Sequence, residues 1–257
     1  MTQLIHPAAA EGYQANAEYY VKGRPDYPPE VSAWLREAVG LQPGKTAIDL
    51  GAGTGKFTAR LLETGAQVIA VEPVLQMREK LAAALPQVKT LAGTAEAISL
   101  PDESVDAVVC AQSFHWFATP AALAEIRRVL KPGGKLGLIW NMRDARVNWV
   151  RKLNQIVDRY EGDVPRFYSG AWRSLFPVKH FDSLREQGFM FGHRGATEDV
   201  IYNRVRSTSF IAALPQAQQE QVIAQLRELV AAEEELRGKE TVTVPYQTQA
   251  FVTTKLE

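Results

Sequence analysis

Three glycines, two carboxylates and one histidine are the residues of this chain whose types and spacing suggest chemistry. Gly51, Gly53 and Gly55 stand in Asp49-Leu-Gly-Ala-Gly-Thr-Gly55, after an apolar run and before a helix-like stretch, so the order reads strand, turn, helix. A turn of this kind lets backbone approach a ligand that side chains would hold away. Dinucleotide-binding turns space their glycines G-x-G-x-x-G, whereas these follow G-x-G-x-G, with Phe57 near the helix-packing position. That spacing is a poor cradle for pyrophosphate and suits a compact cationic nucleoside, S-adenosylmethionine. Glu72 closes a second apolar run about twenty residues after the turn, where a carboxylate accepts from both hydroxyls of a ribose. A phosphorylated ribose is repelled there, which sets NADP aside and leaves NAD open.

Transfer of a methyl group from a positive sulfur is an in-line displacement, so a protein contributes alignment and exclusion of water. A carboxylate acceptor needs no deprotonation, whereas a phenol, amine or carbon acid gains from a base. His115 is the candidate base, because it follows the buried run of residues 105–111 where open α/β sheets place their ligand crevice. The plainer alternative is a histidine that packs beside the cofactor. Gln112 leaves the same strand end and is placed to touch the cofactor. Trp116, Trp140, Asn141 and Arg143 fall at the exits of the fourth and fifth strands, where aromatic walls and a guanidinium receive a planar or carboxylated acceptor. Core packing accounts equally well for either tryptophan. Tyr13, the aromatic stretch 167–172 and residues 202–206 are the expected lid, a mobile region. His6, His180 and His193 are dispersed, and no metal site is expected.

The elements that position these residues alternate. A helix is expected over 30–39, then strand 46–50, helix 56–63, strand 68–71, helix 75–85, strand 88–91, strand 105–111, helix 120–130, a turn at 131–134 and strand 135–140. Such alternation implies a parallel sheet with helices on both faces. Beyond residue 141 the pattern is less regular: a helix over 149–160, an aromatic loop at 165–176, a short helix over 181–187, a long amphipathic helix over 217–237 and a closing antiparallel strand over 241–253, interrupted at Pro245.

The 257 residues, 46% of them hydrophobic, suffice for one large core with an elaboration. Three segments of one domain are expected: an arm and first helix over 1–40, a nucleoside-binding core over 41–145, and a lid with closing strands over 146–257. Lys plus Arg equals Asp plus Glu at 29 each, so no long-range field favours nucleic acid or an anionic membrane. Cys110 lies in an apolar run and reads as a buried, inert thiol. No stretch approaches the roughly eighteen apolar residues of a membrane span. The expectation is a soluble, cytoplasmic monomer or homodimer whose partner is a small-molecule methyl acceptor.

These residues resemble the class I S-adenosylmethionine-dependent methyltransferases. The likeness rests on the glycine turn, Val71-Glu-Pro73, Gly93-Thr-Ala-Glu96 before Leu100-Pro-Asp102, and Leu130-Lys-Pro-Gly-Gly134. Gln112-Ser-Phe-His-Trp-Phe117 and the arm Tyr20-Val-Lys-Gly-Arg-Pro-Asp-Tyr-Pro28 are similar to a small-molecule branch that includes trans-aconitate methyltransferase-like proteins. The resemblance implies a Rossmann-like, doubly wound α/β fold, a seven-stranded and mostly parallel sheet with a helical lid. It implies that Gly51, Ala52, Gly53, Thr54 and Gly55 face the methionine portion, that Asp49 orients the turn or the amino group, and that Glu72 and Pro73 hold the ribose. Thr94, Ala95 and Glu96 border adenine, with Met77 on its face or in the core. Tyr20 and Arg24 close over the carboxylate end of the cofactor.

Methylation of a small molecule at oxygen or nitrogen is the favoured function, with carbon methylation of a quinone-like or polyketide-like substrate as the close alternative. A non-catalytic S-adenosylmethionine-binding protein shares the same features. A nicotinamide-dependent oxidoreductase is disfavoured by the misplaced third glycine and the absence of a Tyr-x-x-x-Lys pair. Methylation of nucleic acid is disfavoured because Gln112-Ser-Phe-His115 stands where an Asn/Asp-Pro-Pro-Tyr/Phe tetrapeptide would follow the fourth strand.

Overall fold

A computed structural model describes residues 23–257. Tyr13 and Tyr20, expected at the acceptor and the cofactor, lie outside the described residues.

Seven strands form one sheet in the order β3-β2-β1-β4-β5-β7-β6, with β1 Thr46–Leu50, β2 Gln67–Val71, β3 Lys89–Leu91, β4 Val105–Ala111, β5 Leu130–Arg143, β6 Arg185–Ala196 and β7 Thr241–Thr254. The pairs β1–β2, β1–β4, β2–β3 and β4–β5 are parallel. The connection from β1 passes to β2 on one side while β4 returns on the other, which makes the β1/β4 boundary the switch point of the sheet. Before and between these strands run helices α1 Glu30–Glu37, α2 Lys56–Leu62, α3 Leu75–Ala84 and α4 Pro120–Val129. Two later helices, α5 Asn148–Asp158 and α6 Gln216–Ala232, complete the longer elements.

The chain divides into two compact units. The larger comprises Tyr27–Trp140, Pro165–Phe189 and Thr248–Glu257; of the described residues, the smaller comprises 23–26, Asn141–Val164 and Met190–Gln247. In the larger unit, buried Ala47, Ala107, Val109 and Ile139 of the sheet pack with Trp34 and Leu35 of α1 and Phe57 and Leu61 of α2. In the smaller unit, Trp149, Val150, Leu153 and Val157 form one stripe of α5 and meet Val222, Ile223 and Leu226 of α6. Local chemistry fixes the helix starts: Thr119 accepts the Ala122 N–H at 3.1 Å while Pro120 opens α4.

Several local expectations are corrected. The short helix expected over 181–187 is replaced by the start of β6, in which only Phe189, Phe191, His193 and Gly195 are partly buried, a two-residue period that belongs to a strand. Residues 131–134 do not separate helix from strand but bulge within β5, because Leu130 pairs with Val105 while Lys135 already pairs with Ala107. Pro245 does not interrupt β7, and its carbonyl accepts the Asp144 N–H at 2.9 Å. The segment 165–176, expected as an irregular aromatic loop, folds into two 3-10 turns, Phe167–Ser169 and Ala171–Leu175, and buries Trp172.

Candidate active site

The glycine turn leaves the carboxyl end of β1, where the Gly51 and Ala52 N–H groups donate to the Val71 carbonyl at 2.8 and 3.2 Å. All three glycines have positive φ, 73°, 58° and 88° in chain order. A Cβ on Gly51 would meet the Ser113 Cβ at 2.7 Å, and one on Gly55 would meet the Leu81 side chain of α3 at 2.8 Å. Gly55 thereby takes over the helix-packing duty that a dinucleotide turn gives to a later glycine. Ser113 fastens the far wall by donating to the Leu50 carbonyl at 2.7 Å.

Two carboxylates stand under this turn. Asp49 is fully buried in β1; Oδ2 accepts from Thr58 Oγ1 at 2.6 Å, and Oδ1 is enclosed with no hydrogen-bond partner. Burial first, and then the Glu72 charge, push its pKa up to about 7, against the pull of Thr58. Glu72, 5% exposed, accepts the Gly53 N–H on one oxygen at 2.8 Å and the Val74 N–H on the other at 2.9 Å. Burial raises its pKa too, and the two backbone hydrogen bonds only partly offset that rise. Each Glu72 oxygen retains a lone pair, so the group has capacity for a diol while it holds the glycine turn in shape. An enclosed carboxylate pair with one orphan oxygen fits a ligand that brings a positive charge and hydroxyl donors. An ammonium, sulfonium and ribose together meet that requirement; a pyrophosphate does not.

The loop expected beside adenine is fixed from behind. Arg128 of α4 donates to the Ile98 and Leu100 carbonyls at 2.9 and 2.8 Å and to Asp102 at 2.7 Å, while Glu125 accepts the Ile98 N–H at 2.7 Å. Thr94 and Ala97 form an isolated bridge that turns the chain tightly around Ala95 and Glu96, of which Ala95 is buried. Met77 is buried on α3. Thr54 and Pro73 are half-buried beside Gly53 and Glu72 in the chain. Gln112 leaves β4 with φ 57°, a left-handed turn that redirects the chain toward Ser113.

His115, the expected base, is held by the fifth strand. Trp140 Nε1–H donates to His115 Nδ1 at 3.1 Å, and an indole nitrogen can only donate. A neutral ring that accepts on Nδ1 carries its proton on Nε2. Trp140, expected as an acceptor wall, is 1% exposed and packs on Phe167, Trp172 and Phe251 at ring separations of 4.9, 4.6 and 5.9 Å. Its role is core packing and orientation of the imidazole. Trp116 stays half-buried, its ring 5.2 Å from that of His115.

In the smaller unit, Asn141 is buried and donates to the Asp26 carbonyl at 3.1 Å, which ties the end of the arm to β5. Arg24, expected over the cofactor carboxylate, donates to the Ser207 carbonyl at 2.9 Å and lies near Arg204, as does Arg143. Thr58, Ser113 and Tyr246 are residues that sequence reasoning passed over, and Arg204 was read only as part of the expected lid over 202–206. Thr58 has a readable signal, a hydroxyl one helical turn beyond a glycine turn that carries a buried acid; Arg204 and Tyr246 are brought to Arg143 only by the tertiary fold. Among the described residues no group of three His, Cys, Asp or Glu side chains is placed to hold a metal, and no helix is long and apolar enough to cross a membrane.

A sequence profile described as a methyltransferase domain matches residues 48–138, the span from β1 to β5. The chain is 40% identical over 244 residues to an uncharacterized methyltransferase-like protein of Schizosaccharomyces pombe, covering 95% of each chain. It is 41% identical over 229 residues to an uncharacterized methyltransferase of Mycobacterium tuberculosis, covering 89% of each. Among solved structures, a putative type II methyltransferase from Anaeromyxobacter dehalogenans aligns with a TM-score of 0.64 at 23% identity, over 91% of this chain and 97% of that one. The chain belongs to the S-adenosylmethionine-dependent methyltransferases. The cofactor of this family is S-adenosylmethionine.

Proposed function

We propose that this enzyme methylates a small molecule at oxygen or nitrogen, by in-line displacement and without a side-chain base. When bound, S-adenosylmethionine supplies a methyl group on a positively charged sulfur. The observation that carries the reading is the enclosed Asp49 and Glu72 pair beneath the glycine turn, with the Asp49 Oδ1 lacking a partner. Glu72 fixes the glycine turn through the Gly53 N–H and offers its remaining lone pairs to the ribose diol. Asp49 takes up positive charge, and Thr58 keeps its other oxygen in place. Thr94, Ala95 and Glu96 border the adenine, on the loop that Arg128 clamps.

His115, with Nδ1 committed to the Trp140 indole, is held in one orientation at the exit of β4 and positions the acceptor rather than taking its proton. Alignment is then the enzyme's chief contribution to rate. Trp116 gives this region a half-buried aromatic face suited to a small planar acceptor.

The test is transfer of labelled methyl from S-adenosylmethionine to a panel of carboxylates, phenols, amines and quinols, with His115→Gln beside the wild type. The reading expects transfer to at least one panel member, and a fall in kcat/KM of no more than about tenfold in His115→Gln, without loss of a pH limb near 6–7. A fall of about 10²–10⁴, with that limb abolished, would instead establish a base.

A further inference from the structure

Strand β3 ends beside Glu72, whose N–H donates to the Leu91 carbonyl at 3.1 Å. The loop that follows, residues 92–104, therefore starts at the rim of the crevice outside the carboxyl ends of the strands. A Cβ on Gly93 would meet Val71 Cγ1 at 3.3 Å and the Ala97 carbonyl at 3.1 Å, so the loop lies close on β2 and folds back on itself. Within it, the Ala97 N–H reaches the Thr94 carbonyl at 3.2 Å and the Leu100 N–H reaches the Ile98 carbonyl at 2.7 Å.

Further fastening comes from α4, which buried Ala122, Leu123, Ile126 and Val129 seat in the fold. Arg128 donates through Nη2 to the Ile98 carbonyl at 2.9 Å and through Nη1 to the Leu100 carbonyl at 2.8 Å. Glu125, one turn earlier, accepts the Ile98 N–H at 2.7 Å and grips the same guanidinium as a fork, Nε on Oε2 and Nη2 on Oε1, each at 2.7 Å. That grip holds the Glu125 carboxyl below the usual carboxylate range. The Arg128 and Val129 carbonyls accept the Glu103 and Ser104 N–H groups at 2.8 and 2.9 Å, so the exit of the loop is tied to the same helix end. The Glu125 side chain is 15% exposed and that of Arg128 32%, so solvent screens the pair only in part, and the planar fork adds geometric strictness to charge. All of these residues lie in the larger unit.

We propose that Arg128 and Glu125 are positioning residues for the nucleoside, holding the loop over 93–98 in the one shape whose backbone groups distinguish the 6-amino edge of adenine. The proposal rests on the reading that Thr94, Ala95 and Glu96 border that ring. A base edge is recognised by hydrogen bonds only when donors and acceptors stand at fixed distances, and a site built that way rejects an analogue whose donor has become an acceptor. Backbone groups of an irregular loop meet that demand when the loop is ordered before the ligand arrives, and α4 supplies the order. Arg128 and Glu125 act through the loop rather than on the ring.

The experiment is isothermal titration calorimetry of the full chain with S-adenosylhomocysteine and with S-inosylhomocysteine, which carries a 6-oxo group in place of the 6-amino group. Wild type, Arg128→Lys and Glu125→Gln are compared. The result expected is a preference of the wild type for the adenine compound of about a hundredfold. In Arg128→Lys, affinity for the adenine compound falls about tenfold while affinity for the inosine compound changes by less than about twofold, so the preference narrows. Glu125→Gln keeps an oxygen for the Ile98 N–H but loosens the grip on Arg128, and moves the preference the same way; it decides the matter should Arg128→Lys fail to fold. Equal loss of affinity for both compounds in the variants marks a merely structural role and overturns the proposal, as does a preference unchanged from wild type. A wild type that binds both compounds alike overturns it while leaving the cofactor reading in place. A wild type that binds neither overturns both.

Discussion

At the scale of single residues, Asp49 sets the pH behaviour of the site. Its folded pKa, about 7, lies above the ordinary value of 3.8, so the folded protein binds more protons than the unfolded chain between those limits. Stability of the free protein is expected to fall as pH rises from about 4 to about 7 and to level off above that. A cationic ligand favours the ionised form, so nucleoside binding below pH 7 releases a proton and affinity climbs until Asp49 is ionised. Titration at pH 6 in two buffers of different ionisation enthalpy reads this release directly, and Asp49→Asn should abolish it. Glu72→Gln places an amide nitrogen against one of the backbone N–H groups that now reach the carboxylate, and weakens nucleoside binding by about 1–3 kcal/mol. Unchanged calorimetric affinity in Glu72→Gln would remove Glu72 from the site. The strand-turn-helix that carries Asp49 and the glycines, and the strand that Glu72 follows, were legible in the sequence because their pattern is local. That Arg143, Arg204 and Tyr246 come together was not, because no local spacing links them.

At the scale of elements, the glycine turn depends on close packing as much as on ligand approach. Gly55→Ala imposes a left-handed strain and drives a Cβ into Leu81, so it should cost about 2–4 kcal/mol, an αL penalty plus overpacking. Gly133→Ala has equal φ strain but open space around it, and should cost about 1–2 kcal/mol. Thermal denaturation of the pair separates the two contributions; equal melting points would show that the Leu81 contact yields freely. The aromatic turns tell a similar story. Trp172, 2% exposed and stacked on Phe167 and Trp140, makes residues 167–175 part of the support beneath His115. The burial of Trp172 was not legible because aromatic residues in a loop look the same in sequence whether they cover a ligand or fill a core. The misplaced helix at 181–187 has a related cause: its charged residues suit a helix, while strand pairing further along imposes the alternation of Phe189, Phe191 and His193.

At the scale of the whole molecule, the alternation of residues 46–140 was sufficient to foresee a mostly parallel sheet, and the seven strands are present in the order β3-β2-β1-β4-β5-β7-β6. The later chain resisted reading because its pieces interleave: residues 141–164 and 190–247 build one unit, whereas 165–189 and 248–257 belong to the other. The residues proposed to hold the cofactor, on the glycine turn and after β2 and β4, all lie in the larger unit.

Asp49 and Glu72 are proposed to hold S-adenosylmethionine beneath the glycine turn. Calorimetric titration of the full chain with S-adenosylmethionine, S-adenosylhomocysteine and NAD in parallel tests it most directly. The expected result is one-to-one binding of both sulfur nucleosides, with proton release at pH 6 that Asp49→Asn removes, and no heat from NAD. Binding of NAD alone, or of none of the three, would contradict it.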